Sequence, residues 1–172
     1  MRKPVVPLPL PRRVAHALLH RLPRRGRPDP RARLLQLRAL EAILDDAVAA
    51  QTPSDLVVAA CGEPGPVGEL VARTGGEQLM VYHRLTVRLQ HLPLDGEPAE
   101  LGQAAARLFQ YHEWMIHEAL SLAFSSRPDA RTAAARRRIN GIGAPADALR
   151  DLRETVRAMA ASAPDAAGEP PR

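Results

Sequence analysis

Lysine is nearly missing from this 172-residue chain, where Lys3 stands alone among 24 basic residues. Cysteine occurs once, at Cys61, which excludes an intramolecular disulfide and a cysteine-based zinc cluster. A reducing compartment, the cytoplasm, is the expected location. Aromatics are scarce too: Phe109, Phe124, Tyr82, Tyr111 and Trp114 are the full set. A core must then be assembled from Leu, Val, Ile and Ala, which suits helices better than packed sheets. No apolar run approaches the roughly 18 residues of a membrane-spanning helix. Abundant Ala, Pro and Gly, with Arg replacing Lys, has the look of a GC-rich genome. An arginine here therefore says less about phosphate recognition than it would elsewhere.

What the chain does have is a division of charge. Residues 1–33 hold ten Arg or Lys against one acid, Asp29, for a net +9, whereas the remainder holds 14 Arg against 18 acids, for −4. That front segment reads "MRKPVVPLPLPRRVAHALLHRLPRRGRPDPRAR", and its prolines forbid a continuous helix and favour extended, polyproline-like stretches. Between Pro11 and Pro23 one short helix fits. Its wheel puts Val14, Ala15, Leu18, Leu19 and Leu22 on one side and Arg12, Arg13, His16, His20 and Arg21 on the other. Residues 1–30 are thus expected to be a basic arm, flexible or partly helical, with Arg12, Arg13, Arg21, Arg24, Arg25 and Arg27 as its polyanion-binding candidates. An acidic protein, nucleic-acid phosphates and the surface of an anionic membrane are all partners such a segment fits. An unstructured terminus without a partner fits as well. A secretory signal does not, since no uninterrupted apolar region follows the basic start.

Helical spacing governs the rest. Leu34, Leu37, Leu40, Ile43, Leu44 and Val48 predict a helix over 31–51. Thr52 as N-cap with Pro53 at the first helical position predicts another over 53–61. Further helices are expected over 66–74, 77–92, 98–125, 128–140 and 146–161, separated by Gly75-Gly76, "PLDGEP", "SSRPDA" and "NGIGAP". The expectation is all-α: a compact bundle of six or seven helices over 31–162 as a single domain, then a disordered tail at 163–172.

The stretch "QYHEWMIHEALSLAF" repeats His-Glu at 112–113 and 117–118. Metal-binding histidine pairs on one helix stand four apart, about 40° around the axis, whereas these are five apart and about 140° from each other. His112 falls in the broad apolar face formed by Leu101, Ala105, Leu108, Phe109, Ile116 and Ala119, and needs a polar partner from another helix. His117 faces outward, one turn after Glu113, which suggests a weak surface pair. No metal ligands and no cofactor are assigned, because di-metal bundles use Glu-x-x-His on two helices and that pattern is missing. Trp114 lies off the apolar face, where a large aromatic is covered by the N-terminal arm, offered to a partner or buried under a neighbouring helix.

Two segments imitate familiar sites. "DLVVAACGEPGPVGELVA" has glycines at 62, 65 and 68, but the spacing is wrong for a dinucleotide fingerprint and no further strand–helix units follow. "PVGELVARTGGEQLMVYHRLTVRL" resembles, over residues 66–90, the helix-turn-helix of bacterial DNA-binding regulators. By that resemblance Gln78, Tyr82 and His83 would face DNA, and Arg84 and Arg88 would contact it too. An ordinary pair of packed helices accounts for the same residues. "ARTAAARRRIN" stacks Arg136, Arg137 and Arg138 late in a helix, where cations complement the helix C-terminus.

Readable catalytic motifs are lacking: no nucleophile stands at a fixed distance from a base, and Asp45-Asp46 point about 100° apart, as a solvated edge would. The expected function is a non-catalytic helical regulatory or adaptor protein that works through protein contacts, its arm docking on an acidic partner or polyanion. A DNA-binding regulator is the alternative, and a metal-binding bundle the second. A homodimer is compatible with the long apolar face.

Overall fold

The computed structural model describes residues 29–126, 129–139 and 141–163. The arm arginines Arg12, Arg13, Arg21, Arg24, Arg25 and Arg27 lie outside the described residues, as does nearly all of the expected tail. Asp29 caps the first helix, its carboxylate accepting from the Arg31 amide at 3.0 Å, and Pro30 takes the first position, where a missing N–H does no harm. Helix α1 (Pro30–Ala49) then buries Leu37, Leu40, Ile43 and Leu44. Helix α2 (Gln51–Gly62) follows almost without a break, because Ala50 itself keeps helical angles and its carbonyl accepts from the Ser54 amide at 3.3 Å. Thr52 is therefore not the N-cap that spacing suggested; the start lies at Gln51 and Pro53 sits inside the first turn.

The larger departure concerns Gly75-Gly76. Instead of two helices and a turn, one unbroken helix α3 runs Glu69–Gln90. Glycine disfavours a helix interior by up to about 1 kcal/mol, so something must outweigh it. At Gly75 that is packing: a Cβ there would meet the Leu120 methyls at 2.8 and 2.9 Å and Val57 at 3.1 Å. The bare backbone lets α3 press against α2 and the long helix α4 (Gly96–Ala123) at one point. Gly76 faces open space.

Helix α5 (Ala130–Arg136) is short, capped by the Asp129 carboxylate, which accepts from the Thr132 amide at 2.6 Å. Helix α6 (Ala144–Ser162) completes the set. The described residues are all-α, with six helices and no strand; merging the two segments at Gly75-Gly76 lowers the number reached from spacing.

Helix α4 is central and packs against every other helix, while α1, α2 and α6 gather on one side of the antiparallel α3–α4 pair. Leu37, Leu40, Leu44, Val58, Phe109, Ile116, Leu149 and Val156 are fully buried where these elements meet. Ion pairs border the seams. Arg157 reaches Glu41 and Asp45 of α1 at 3.0 Å each, and Arg88 of α3 holds Asp46 at 2.6 Å. Asp45-Asp46 is thus no free solvated edge: each carboxylate is bound by an arginine of a different helix. Exposed pairs of this kind contribute about 0–1 kcal/mol each.

Arg136 has a further role. Its guanidinium donates to the carbonyls of Cys61 at 2.9 Å, Glu63 at 2.7 Å and Gly65 at 3.2 Å. A cation near a helix end was expected to serve its own helix; here it closes the C-terminus of α2, whose last carbonyls have no partner within the helix. Gly62 permits the approach, since a Cβ would lie 2.5 Å from the Ile139 carbonyl oxygen.

Two outcomes are expected. Gly76→Ala should raise unfolding free energy in urea by about 0.5–1 kcal/mol, because the site is helical and open, while Gly75→Ala should not stabilise. A turn at this position would reverse the first result. Arg136→Met should lower stability by about 1–3 kcal/mol through the lost charged hydrogen bonds, above all that to the part-buried Cys61 carbonyl, as read from the same titration.

Candidate functional site

Two regions gather the polar and aromatic side chains that the sequence singles out, one inside the bundle and one on its surface. Inside, His112 is fully buried on α4. Its Nδ1 lies 2.7 Å from the Leu108 carbonyl, which can only accept, so Nδ1 carries the proton and donates. Nε2 is then an acceptor, 3.4 Å from the Gln51 amide nitrogen of α2. The Gln51 amide is oriented independently: its nitrogen donates to the Ala146 carbonyl at 2.9 Å and its oxygen accepts from Arg150 at 2.9 Å. A polar line thus crosses the core from α4 through α2 to α6, and it ends at the surface on Arg150, which also pairs with Asp147. The expected polar partner of His112 is Gln51, and nothing in the local pattern around either residue points to the other.

Tyr82 belongs to this interior. It is fully buried, its ring centroid 5.0 Å from that of His112 and 6.3 Å from that of Phe109, and its hydroxyl donates to the Ala47 carbonyl at 3.3 Å. Burial raises the phenol's pKa, opposed weakly by Ser54. Gln78, one turn earlier, is half-buried and accepts from the Ser54 hydroxyl at 3.5 Å. The residues that the helix-turn-helix resemblance placed on one DNA-facing surface are therefore divided. Tyr82 and Gln78 turn inward, His83 and Arg84 are exposed, and Arg88 is exposed but bound to Asp46. Neither the turn at Gly75-Gly76 nor a common reading face is formed. The physical reason is the same in both cases: a continuous α3 must bury one side against α1, α2 and α4.

The surface region is an open groove of about 560 Å³ between α3 and α4, on the side away from α1, α2 and α6. Leu79, Met80 and His83 line it from α3, and Gln110, Glu113, Trp114 and His117 from α4. Trp114 is 54% exposed and Met80 52%, far more than such side chains usually show. Tyr111 packs beside the indole with ring centroids 5.6 Å apart. Burial of Trp114 under a neighbouring helix is not seen among the described residues, and the arm, the other expected cover, lies outside them. His117 faces outward as expected, but no ion pair joins it to Glu113 among the described residues; both line the groove instead. The sequence signal for this region was already present in Trp114, an aromatic off the apolar stripe. Met80 carries no such signal, since its place beside Trp114 depends on how α3 and α4 pair.

A third, more polar recess of about 400 Å³ lies between α2 and the start of α6, lined by Thr52, Asp55, Asp147 and Arg150 among others. Its acids are already engaged, Asp55 by the Ile142 amide at 2.9 Å and Asp147 by Arg150. Cys61 is buried and its thiol pKa is pushed up by burial, with Arg136 acting weakly in the opposite sense. No three His, Cys, Asp or Glu side chains converge in a metal-binding arrangement among the described residues. No helix among them is long and apolar enough to cross a membrane. Neither a protein-family model nor any curated protein nor any solved structure matches the chain.

The buried imidazole makes a stability prediction. Burial depresses the His112 pKa below its ordinary 6.5, with the Leu108 carbonyl pulling weakly upward. The unfolded chain then binds a proton more readily than the folded one, so this contribution is fully present above pH 6.5 and is lost as pH falls through the depressed folded value. Urea unfolding between pH 7.5 and 5.5 should show stability falling toward acid by at most about 1.4 kcal/mol per pH unit from this proton. In His112→Leu that fall should be smaller, whatever the variant's absolute stability. An equal slope in both proteins would remove the assignment.

Proposed function

We propose that the chain is a non-catalytic regulatory or adaptor protein, a helical body that carries an arginine-rich arm to an acidic protein partner. The observation that supports this reading best is where unbalanced positive charge resides. In the body, Arg33, Arg88, Arg150, Arg153 and Arg157 each sit on a carboxylate of the same chain, and Arg136 on backbone carbonyls. Residues 1–28 hold eight Arg or Lys and no acid. Cations without acids nearby raise the local potential and steer an oppositely charged surface toward them. An acidic protein is favoured over a duplex because α3 offers no reading face beside the arm, with Tyr82 and Gln78 turned inward.

The DNA-binding alternative loses its best support with Tyr82 in the core and α3 unbroken. What remains for nucleic acid is non-specific attraction through the arm, which is a matter of salt and not of base contacts.

The test is deletion of residues 1–28. Far-UV circular dichroism should retain the helical signal, while affinity for a poly-glutamate peptide should drop about tenfold or more and weaken with added salt in the full chain only. Duplex DNA and anionic vesicles serve as parallel probes. Tighter retention of DNA than of the peptide, or binding that ignores both deletion and salt, would defeat the proposal.

A further inference from the structure

The groove between α3 and α4 is one part of a longer face, and that face has an internal symmetry. Contacts fix the register of the two helices: Tyr82 lies against Phe109 and His112, and Gly75 against Leu120. The helices run antiparallel, so Met80 stands level with residues 112–114. Gly76, Met80, His83 and Val87 follow one another along the outward side of α3 at helical spacing, and Gln110, Trp114 and His117 along that of α4. Met80, Val87, Tyr111 and Trp114 are all exposed there.

Charges flank this apolar centre in a particular order. On α4, Arg107 and Glu118 are exposed and lie on the same side as Trp114, with their midpoint at residues 112–113. On α3, Arg84 and Glu77 are exposed and flank Met80, with their midpoint at residues 80–81. By the register above, both midpoints fall at one level. Because the helices are antiparallel, both acids lie toward one end of the face and both arginines toward the other. The separations are about 16 Å along α4 and about 10 Å along α3 at 1.5 Å per residue. The face is least polar in the middle, where Glu113 also lies, and carries more acid toward one end (Glu69, Glu77 and Glu118 against Arg73) and more arginine toward the other (Arg84 and Arg107 against Glu100).

We propose that this face binds a second copy of the same chain. A two-fold axis lying in the interface, perpendicular to the helices and passing at the level of Met80 and Trp114, sets α3 antiparallel to α3 and α4 antiparallel to α4 of the second copy. It puts Glu118 over Arg107 of the second copy and Glu77 over its Arg84, each pairing occurring twice as an isologous interface requires. Trp114 and Met80 of both copies meet at the centre, where a desolvated aromatic anchor contributes most. An axis parallel to the helices would instead put acid over acid. A partner of uniform charge would be repelled by one end of the face. This dimer goes beyond the reading of the arm and does not rest on it: deleting residues 1–28 should leave it intact, so either proposal can fail alone.

Sedimentation velocity of the full chain from about 1 to about 100 μM should show monomer passing to dimer. Trp114 is the single tryptophan, so its emission should shift to the blue over the same range. Trp114→Ala should weaken the dimer about tenfold or more with unchanged helicity, since the side chain is half in solvent in the monomer. The decisive variants are charge reversals. Glu118→Arg and Arg107→Glu alone should each weaken association about fivefold or more, and the double variant should return to within about threefold of the starting protein. A chain that stays monomeric to the top of the range overturns the proposal. So does a dimer indifferent to Trp114, a double reversal merely as weak as the two single ones combined, or blue-shifted emission that does not depend on concentration.

Discussion

A neutral imidazole in the middle of the bundle is the constraint on which the arrangement of helices depends. His112 is held by a carbonyl of its own helix on one side and by the Gln51 amide on the other, and Tyr82 stacks against its ring. Those contacts tie α4 to α2 and α3, and Gln51 passes the connection on to α6 through Ala146 and Arg150. A buried polar group without partners would be destabilising by about 1–3 kcal/mol. Satisfying every member of the line demands that four helices keep their registers together, which apolar packing alone does not specify so narrowly.

Electrostatics divides the molecule in a similar way. Arg33 of α1, Arg88 of α3 and Arg157 of α6 are matched with carboxylates across helix seams, and Arg136 is turned to backbone carbonyls. These contacts join elements distant in sequence and leave the body slightly acidic. On the outer α3–α4 face, Glu77 and Glu118 stand toward one end and Arg84 and Arg107 toward the other. A face so arranged suits a copy of itself better than a surface of one sign, and both proposals follow from where charge has, and has not, been matched within the chain.

Helix positions were largely legible because Leu, Val, Ile and Ala recur at the helical period and Pro- and Gly-rich stretches interrupt it. The apolar stripe through Ala105, Phe109 and Ile116 is the buried face of α4, whereas the caps Asp29 and Asp129 and the first-turn prolines Pro30 and Pro145 emerge only from the structure. The errors share a cause. Gly75-Gly76 looked like a turn because glycine is a poor helix former, yet Leu120 and Val57 use the bare Cα to bring three helices together. Tyr82 and Gln78 looked like recognition residues because that false turn reoriented the helix after it. For the surface region, Trp114 announced itself by lying off the stripe, but Met80 became its neighbour only once α3 and α4 were paired.

Period, capping residues and composition are properties of neighbours along the chain, and from them alone follow the helical class, the scarcity of aromatics in the core and the separation of +9 from −4. The pairing of His112 with Gln51, the clamp of Arg136 on the end of α2, and the level alignment of Met80 with Trp114 join residues from 34 to 75 positions apart. Such contacts arise from the angle and register at which helices pack. Many distant residues could in principle satisfy the same hydrogen bond or fill the same gap, and only the folded arrangement selects one.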